Sequence, residues 1–144
     1  MEIRIYYEDT DCGGVVYYAN YLKYFERART HYLEECGVSV SELLQDGTQF
    51  MVVRAHVDYR TPAHYGDTLS IDTRLSERSK ATLCFAHVIR ERRSGRVIVE
   101  GSATLAAVNV DGKIKRLPQG LLDLPAAPPS RRVRRLGQGS KKGR

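Results

Sequence analysis

Residues 8–18, EDTDCGGVVYY, combine the residue types that acyl-transfer chemistry requires. Three carboxylates stand beside two adjacent glycines, and an amphipathic helix is predicted directly after them. The first turn of a helix presents unpaired N–H groups and partial positive charge, which favour a bound carboxylate, a phosphate or a developing oxyanion. A carboxylate held just upstream of such a turn can act on a carbonyl bound there. On composition alone, the alternative that Asp9 and Asp11 only form turns or caps stays open.

Other nucleophiles and metal ligands are less well supported by their spacing. Cys12 adjoins Asp11, but no histidine stands at a fixed spacing from this thiol to activate it. The four histidines show neither an HxH nor an HxxxH pattern, so we expect structural or surface roles rather than metal ligation. They are His31, His56, His64 and His87.

The elements that position the 8–18 segment are a strand before it and a long helix after it. Residues 2–7, EIRIYY, alternate in polarity and predict a strand, and a loop follows over 8–17. Gly37 is expected just past the end of the helix, and Asn20 or a neighbour is expected to cap its start. The predicted apolar face of this helix consists of Tyr21, Phe25, Ala28, Tyr32 and Cys36.

The remainder of the folded region predicts an antiparallel sheet. After a short helical connection over 40–44, strands are predicted at 50–60, 67–77, 80–92 and 96–110, with a hairpin turn around Ser94 and Gly95. Small residues on one face of the last strand, Gly101, Ala103 and Ala107, leave room for a helix to approach closely. The order β-α-β-β-β-β therefore predicts a two-layer α+β domain.

The charge is distributed unevenly along the 144 residues. Residues 131–144 hold seven of the 23 Lys and Arg residues and no Asp or Glu, so the other 130 residues carry 16 basic and 17 acidic side chains. We expect the segment 125–144, rich in Pro, Gly, Ser and basic residues, to be a disordered tail. It has no interleaved aromatics, so we expect no specific nucleic-acid binding, while salt-sensitive contact with an anionic surface and a solubilising extension both stay open.

The composition also excludes several protein classes. No apolar run reaches the roughly 20 residues of a membrane helix. The amino terminus is charged within four residues and has no apolar core, which excludes a secretory signal. Three widely spaced cysteines suit a reducing compartment, so we expect a cytoplasmic protein.

The ordered motif in the first 21 residues resembles a known signature. Arg4-Ile5, Thr10-Asp11, Gly14-Val15-Val16, Tyr18 and Tyr21 are spaced as in acyl-CoA thioesterases of the 4-hydroxybenzoyl-CoA type, and the wider string is similar to the branch with the Tol–Pal-associated acyl-CoA thioesterase. The resemblance continues through 58–63 and 66–67 to about Leu124. It implies a hotdog domain over 1–124, with a curved antiparallel sheet of about five strands wrapped around one long helix.

The resemblance implies catalytic roles for two residues in this loop. Asp11 corresponds to the carboxylate that acts as nucleophile on the thioester carbonyl or as general base for water. The backbone N–H of Tyr18 corresponds to the donor that polarises the carbonyl. Tol–Pal-associated members usually carry His at the position of Tyr18, and the tyrosine here resembles the 4-hydroxybenzoyl-CoA branch instead.

The resemblance also implies a binding surface and an assembly. Gly14, Val15 and Tyr59 are expected to contact an acyl-CoA substrate, and Arg78 and Lys80 match a position where basic residues contact the nucleotide. No metal or other cofactor is required, and a homodimer or homotetramer with active sites between subunits is expected. The alternative is a non-catalytic hotdog protein that binds acyl groups or acts as a scaffold in a cell-envelope or lipid-synthesis complex.

Overall fold

The computed structural model describes residues 1–126. The basic tail predicted over 125–144 thus lies almost entirely outside the described residues. A 3-10 turn at Tyr7–Asp9 separates the first strand from the long helix. The helices and strands are β1 (Glu2–Arg4), α1 (Asn20–Glu35), α2 (Val40–Gln45), β2 (Gln49–Tyr59), β3 (Thr68–Arg78), β4 (Thr82–Glu91), β5 (Val97–Val108) and α3 (Gln119–Leu122).

Within residues 1–126, the five strands form one antiparallel sheet in the order β1-β3-β4-β5-β2. Register shifts interrupt the β2–β5, β3–β4 and β4–β5 pairings, and bulges of this kind bend strands and increase their twist. The buried face of α1 packs against one face of this sheet. The predicted two-layer α+β architecture is therefore confirmed, and each of β2 to β5 begins and ends within two residues of its predicted bounds.

The core of the molecule depends on a close approach between α1 and β5. The ring of Phe25 lies so near Gly101 that a Cβ on this glycine would sit 2.8 Å from two ring carbons and 2.5 Å from the carbonyl oxygen of His56. Phe25 also stacks on the imidazole of His87, with 4.4 Å between ring centroids. The prediction that small residues on β5 admit the helix is confirmed at Gly101.

Three local predictions are wrong. The first strand ends at Arg4 rather than residue 7, because the Asp9 carboxylate accepts a hydrogen bond from Tyr6 N and closes a turn there. Ala19 occupies the N-cap position without a side-chain bond, and Asn20 instead donates from its amide to the Asp9 carbonyl. Cys36 is exposed, because α1 ends one residue before it.

Two predicted helix boundaries are confirmed. Gly37 follows α1 with a φ of +82°, a conformation that glycine adopts without steric cost, and Val38 N donates to the Leu33 carbonyl across this end. The helical connection at 40–44 is present as α2, capped by the Ser39 hydroxyl. No helix within residues 1–126 is both long and apolar enough to span a membrane.

Candidate functional site

The loop before α1 folds into a tight turn that presents Asp11. The Asp11 carbonyl accepts from Gly14 N at 3.1 Å, and Asp11 N donates to the Val15 carbonyl at 2.9 Å. Gly14 has a φ of +80°, which an L side chain rarely adopts, so glycine is needed at this corner. Asp11 therefore sits at the start of a turn whose backbone is fixed on both sides.

The carboxylate of Asp11 is held by one oxygen and is exposed. Its Oδ1 accepts from Gly13 N at 2.8 Å, while Oδ2 has no partner among residues 1–126. A Cβ on Gly13 would lie 3.2 Å from Oδ1, so a larger residue would crowd this contact. One oxygen thus orients the group, and the second remains available to a carbonyl or a water molecule.

The turn is anchored to the body of the protein by backbone pairs. Val16 is buried and donates to the Ala63 carbonyl at 2.8 Å, and Val15 bridges His64 in the segment that leads into β3. Thr10 bridges Val16 across the loop. These contacts hold Asp11 against a framework in which Ala63 is fully buried.

Asp9 has a different environment from Asp11. Its carbonyl accepts from Tyr17 N at 3.0 Å and from the Asn20 amide at 2.9 Å, and its Oδ2 accepts from Tyr6 N at 2.8 Å. The two bonds to the carbonyl tie the loop to the start of α1, and the bond to the carboxylate closes the turn that follows β1. The turn-and-cap alternative therefore describes Asp9 well, and Asp9 is half-buried, whereas Asp11 is exposed.

The start of α1 provides unused backbone donors. The N–H groups of Tyr18 and Ala19 donate to no acceptor within the described part of the chain. The next donors, from Asn20 and Tyr21, already bond to carbonyls three residues earlier. Free N–H groups at this end of a 16-residue helix carry partial positive charge, so an oxygen that gains negative charge is stabilised there.

A group of tyrosines lines this end of the helix. Tyr59, the last residue of β2, donates from its hydroxyl to the Tyr18 carbonyl at 3.4 Å, and the two rings meet edge to face with centroids 6.2 Å apart. Tyr21 is buried behind Tyr59, whereas Tyr18 and Tyr59 are more than half exposed. The structure thus brings Asp11, Gly14, Val15, Tyr18 and Tyr59 to one end of the sheet.

The other two predicted site residues lie elsewhere. Arg78 ends β3 and Lys80 lies in the turn before β4, whereas the start of β3 adjoins the Asp11 loop through His64 and Asp67. The 11 residues of β3 span roughly 30 Å, so one protomer separates Arg78 and Lys80 from Asp11 by about the length of the sheet. A nitrogen of the Arg78 guanidinium is buried without a partner among residues 1–126.

The distant end of the sheet also contains a cavity that the sequence did not indicate. It has a volume of about 490 Å³ and lies between the second half of α1, the helix α2 and the start of β2. Arg29, a buried cation, contributes to its wall. The signal was present in the sequence, because Arg29 lies four residues after Phe25 and therefore falls on the apolar face of the helix.

The remaining chemical candidates are dispersed. Cys12 is exposed in the Asp11 turn, and three of the histidines are at the surface, where His31 and His56 pair with Glu35 and Asp58. His87 alone is buried, and burial together with the charge of Arg29 lowers its pKa to about 3. Within residues 1–126, no three His, Cys, Asp or Glu side chains are grouped to hold a metal ion.

Comparison with known proteins gives a consistent result. Residues 6–128 match the thioesterase-like superfamily. The chain is 40% identical over 115 residues to the acyl-CoA thioesterase YbgC of Haemophilus influenzae, which covers 78% of this chain and 82% of that protein. It is also 40% identical over 87 residues to the acyl-CoA thioester hydrolase YbgC of Escherichia coli, a match that covers 60% of this chain and 65% of that protein.

Solved structures of thioesterases share this fold. A 1,4-dihydroxy-2-naphthoyl-CoA thioesterase from Synechocystis superposes with a TM-score of 0.78 at 25% identity, over 87% of this chain and 97% of that chain. A gentisyl-coenzyme A thioesterase superposes with a TM-score of 0.79 at 28% identity, over 85% of this chain and 98% of that chain. The predicted hotdog fold is therefore confirmed.

Proposed function

The chain belongs to the thioesterase-like superfamily, and from this premise we propose that it hydrolyses an acyl- or aryl-CoA thioester to the free acid and CoA at the loop before α1. The observation that carries the proposal is that residues 11–19 hold both an exposed carboxylate with an oxygen that accepts no hydrogen bond within residues 1–126 and the unused N–H donors at the start of α1. The Haemophilus influenzae relative, which matches over 82% of its length, is an acyl-CoA thioesterase by name. The enzyme is accordingly an acyl-CoA thioesterase, and the roles below are our assignment.

In this mechanism Asp11 delivers the nucleophile. Its free oxygen either attacks the thioester carbon, which forms an acyl–Asp11 anhydride that water then hydrolyses to the free acid, or removes a proton from a water molecule that attacks the thioester carbon directly. The carbonyl oxygen gains negative charge and is stabilised by the N–H of Tyr18, a contact worth roughly 2.7–4 kcal/mol in comparable oxyanion sites. The CoA thiolate leaves without a strong general acid, because a thiol has a pKa of about 8.5.

The site becomes complete only in a dimer. The outer edge of β2 has no partner strand among residues 1–126, and three consecutive apolar residues on this strand, Met51, Val52 and Val53, are about half exposed. Antiparallel pairing of two such edges places the Tyr59 end of one β2 against the Gln49 end of the other. The Asp11 loop of one protomer then faces the cavity end of its partner.

The same pairing assigns a position to the two basic residues at that end. The starts of β2 and β4 and the ends of β3 and β5 share one end of the sheet, so Arg78 and Lys80 lie on the side that the partner's loop approaches. Guanidinium and ammonium groups bind phosphate oxygens well, and CoA carries three phosphates. We assign Arg78 and Lys80 to the nucleotide. The three free cysteines also favour the cytoplasm as the compartment.

A panel of short-chain, long-chain and aromatic acyl-CoAs, assayed by release of free thiol, tests this function. We expect Asp11→Asn to lower kcat by 10²-fold or more with little change in melting temperature, because it removes the nucleophile or base. Asp9→Asn is the matched control, since an amide oxygen can still accept from Tyr6 N. An active Asp11→Asn enzyme would exclude the assignment, and a wild type that binds but hydrolyses none of the panel would favour the acyl-binding alternative.

A further inference from the structure

The cavity at the far end of α1 is apolar over most of its wall. Leu33 of α1, Leu44 of α2, Phe50 and Val52 of β2 and Leu105 of β5 form this surface. Its volume of about 490 Å³ is in the range of small-molecule sites. It is not part of the Asp11 loop of the same protomer, because Arg29 follows Tyr18 by 11 residues, roughly 16 Å along the helix.

Arg29 is the unusual member of this wall. Its side chain belongs to a residue only 9% exposed, yet it makes no hydrogen bond and no ion pair with any residue in the range 1–126. A guanidinium carries five N–H donors, and the described residues satisfy none of those of Arg29, whose nitrogens keep some solvent contact. Burial accordingly lowers the pKa of Arg29. A negatively charged hydrogen-bond acceptor inside the cavity would bind these donors and offset the solvation that the guanidinium loses.

The neighbouring charges favour an anion. Lys115 donates to the Thr48 hydroxyl at 2.9 Å, and Thr48 is part of the cavity wall, so a second cation lies directly behind it. Glu26 also contributes to the wall, and its charge partly opposes the lowering of the Arg29 pKa by burial. It is exposed to solvent, however, and forms no ion pair with Arg29 within 4.0 Å. Water therefore screens the acid more than the buried guanidinium.

We propose that Arg29 binds a carboxylate at the distal end of the acyl group, so that the enzyme prefers acyl-CoAs whose chain ends in a carboxylate to plain alkyl acyl-CoAs of equal length. The inference rests on the proposed function and on the paired β2 edges, which bring this cavity next to the partner's Asp11 loop. The apolar wall contacts the methylene chain, and the planar guanidinium binds the two carboxylate oxygens. Arg29 is thus a specificity-determining residue.

The test compares kcat/KM within pairs of equal chain length. Succinyl-, glutaryl-, adipyl- and suberyl-CoA are each measured beside the corresponding unsubstituted acyl-CoA. Four chain lengths are needed because the distance between the Asp11 loop of one protomer and the cavity of the other selects one length. We expect one carboxylated substrate to be preferred by roughly tenfold or more, as hydrogen bonds to a buried charge permit. Arg29→Met should bring this ratio toward one, and Arg29→Lys should retain part of it.

Two further variants make the test independent of a folding defect in Arg29→Met. Glu26→Gln should raise the preference for the carboxylated substrate, because it removes the only acid in the described cavity wall. Arg27→Met is the matched control, since Arg27 lies on the same helix, outside the cavity, with its guanidinium over the Tyr24 ring. Its selectivity ratio should equal that of the wild type.

The outcomes separate this inference from the proposed function. If the wild type hydrolyses alkyl or aryl acyl-CoAs but prefers no carboxylated one, the inference is overturned and the proposed function is not. The same holds if a folded Arg29→Met loses kcat/KM equally for the carboxylated and the unsubstituted substrate of a pair. If no acyl-CoA is hydrolysed, the carboxylate site is tested separately by the change in melting temperature that free adipate and free hexanoate each produce. Stabilisation of the wild type by adipate over hexanoate, abolished in Arg29→Met, supports the cavity as a carboxylate site, and equal shifts exclude it.

Discussion

At the scale of single residues, the site depends on which polar atoms are left without a partner. Asp9 uses its carbonyl to fasten the loop to α1 and one carboxylate oxygen to close the turn at Tyr6, and it is half-buried. Asp11 also uses one carboxylate oxygen, but it is exposed, and the N–H donors of Tyr18 and Ala19 have no acceptor within residues 1–126. Two aspartates two residues apart therefore have different environments, and we propose a catalytic role only for the exposed one.

The proposed role of Tyr18 belongs to its main chain, which gives a simple expectation. Tyr18→Phe should retain most of kcat, because the N–H group is unchanged. Tyr18→Pro should abolish turnover, because proline has no N–H. Steady-state kinetics, together with circular dichroism to verify the fold, measure both variants. If Tyr18→Phe were as inactive as Asp11→Asn, the hydroxyl would have to be part of the mechanism.

A buried histidine makes the stability of the protein depend on pH. His87 is 1% exposed, its Nδ1 lies 2.9 Å from the Thr73 hydroxyl, and its Nε2 has no partner among residues 1–126. Burial, followed by the charge of Arg29, lowers the pKa of His87 from 6.5 to about 3. The folded protein therefore keeps this imidazole neutral at pH values where the unfolded chain binds a proton.

The sign of the effect follows from these two pKa values. Above pH 6.5 His87 is neutral in both the folded and the unfolded protein, so this residue takes nothing from the free energy of unfolding. As the pH falls from 6.5 toward 3, only the unfolded state gains the proton, so the free energy of unfolding decreases by up to about 1.4 kcal/mol per pH unit. Urea unfolding from pH 7 to 4 should show a shallower decrease in His87→Gln than in the wild type. Parallel curves would contradict the assignment.

At the scale of elements, the packing of α1 on the sheet determines the position of the site. The helix can lie close to β5 because Gly101 has no side chain where the Phe25 ring packs. The same helix carries the free N–H groups at its start and Arg29 in its second half. A change in the distance between α1 and the sheet would therefore move both these N–H groups and Arg29.

Gly101→Ala tests this close packing. The added Cβ would lie 2.5 Å from a backbone oxygen, which cannot move as a flexible side chain does, so we expect a loss of about 1–3 kcal/mol in the free energy of unfolding. Gly120→Ala is the matched control, because Gly120 lies in α3 with no atom within 4 Å of the added methyl group. Thermal or urea unfolding should show a large effect at Gly101 and little change at Gly120.

At the scale of the whole molecule, the dimer that we propose depends on the edge of β2, which has no partner strand within residues 1–126. An 11-residue edge strand with exposed apolar side chains is a template for pairing with another strand. Self-pairing would satisfy its backbone and bring each Asp11 loop to the partner's cavity. The oligomer is thus a condition for activity in this proposal.

Val53→Lys should disrupt the pairing. Val53 is 51% exposed at the register shift in β2, and a charge on an edge strand opposes the approach of a second strand. Light scattering after size-exclusion chromatography should show a shift from dimer toward monomer, with a parallel loss of kcat/KM. Val110→Lys makes the same change at a more exposed residue outside the strands and should alter neither. A fully active Val53→Lys monomer would exclude the shared site.

Most of the elements and the candidate catalytic loop could be predicted from the sequence alone, because both depend on local patterns. Alternating apolar residues and turn residues such as Gly95 fixed the strands, and the spacing from Thr10 to Tyr21 identified the loop and its family. Only the tertiary structure decided which polar atoms are satisfied and which residues meet. It assigned Asp9 to the loop framework, separated Lys80 from Asp11 by the length of a strand, and buried Arg29 in a cavity. These outcomes depend on contacts between residues distant in sequence, which the periodicity of one segment does not encode.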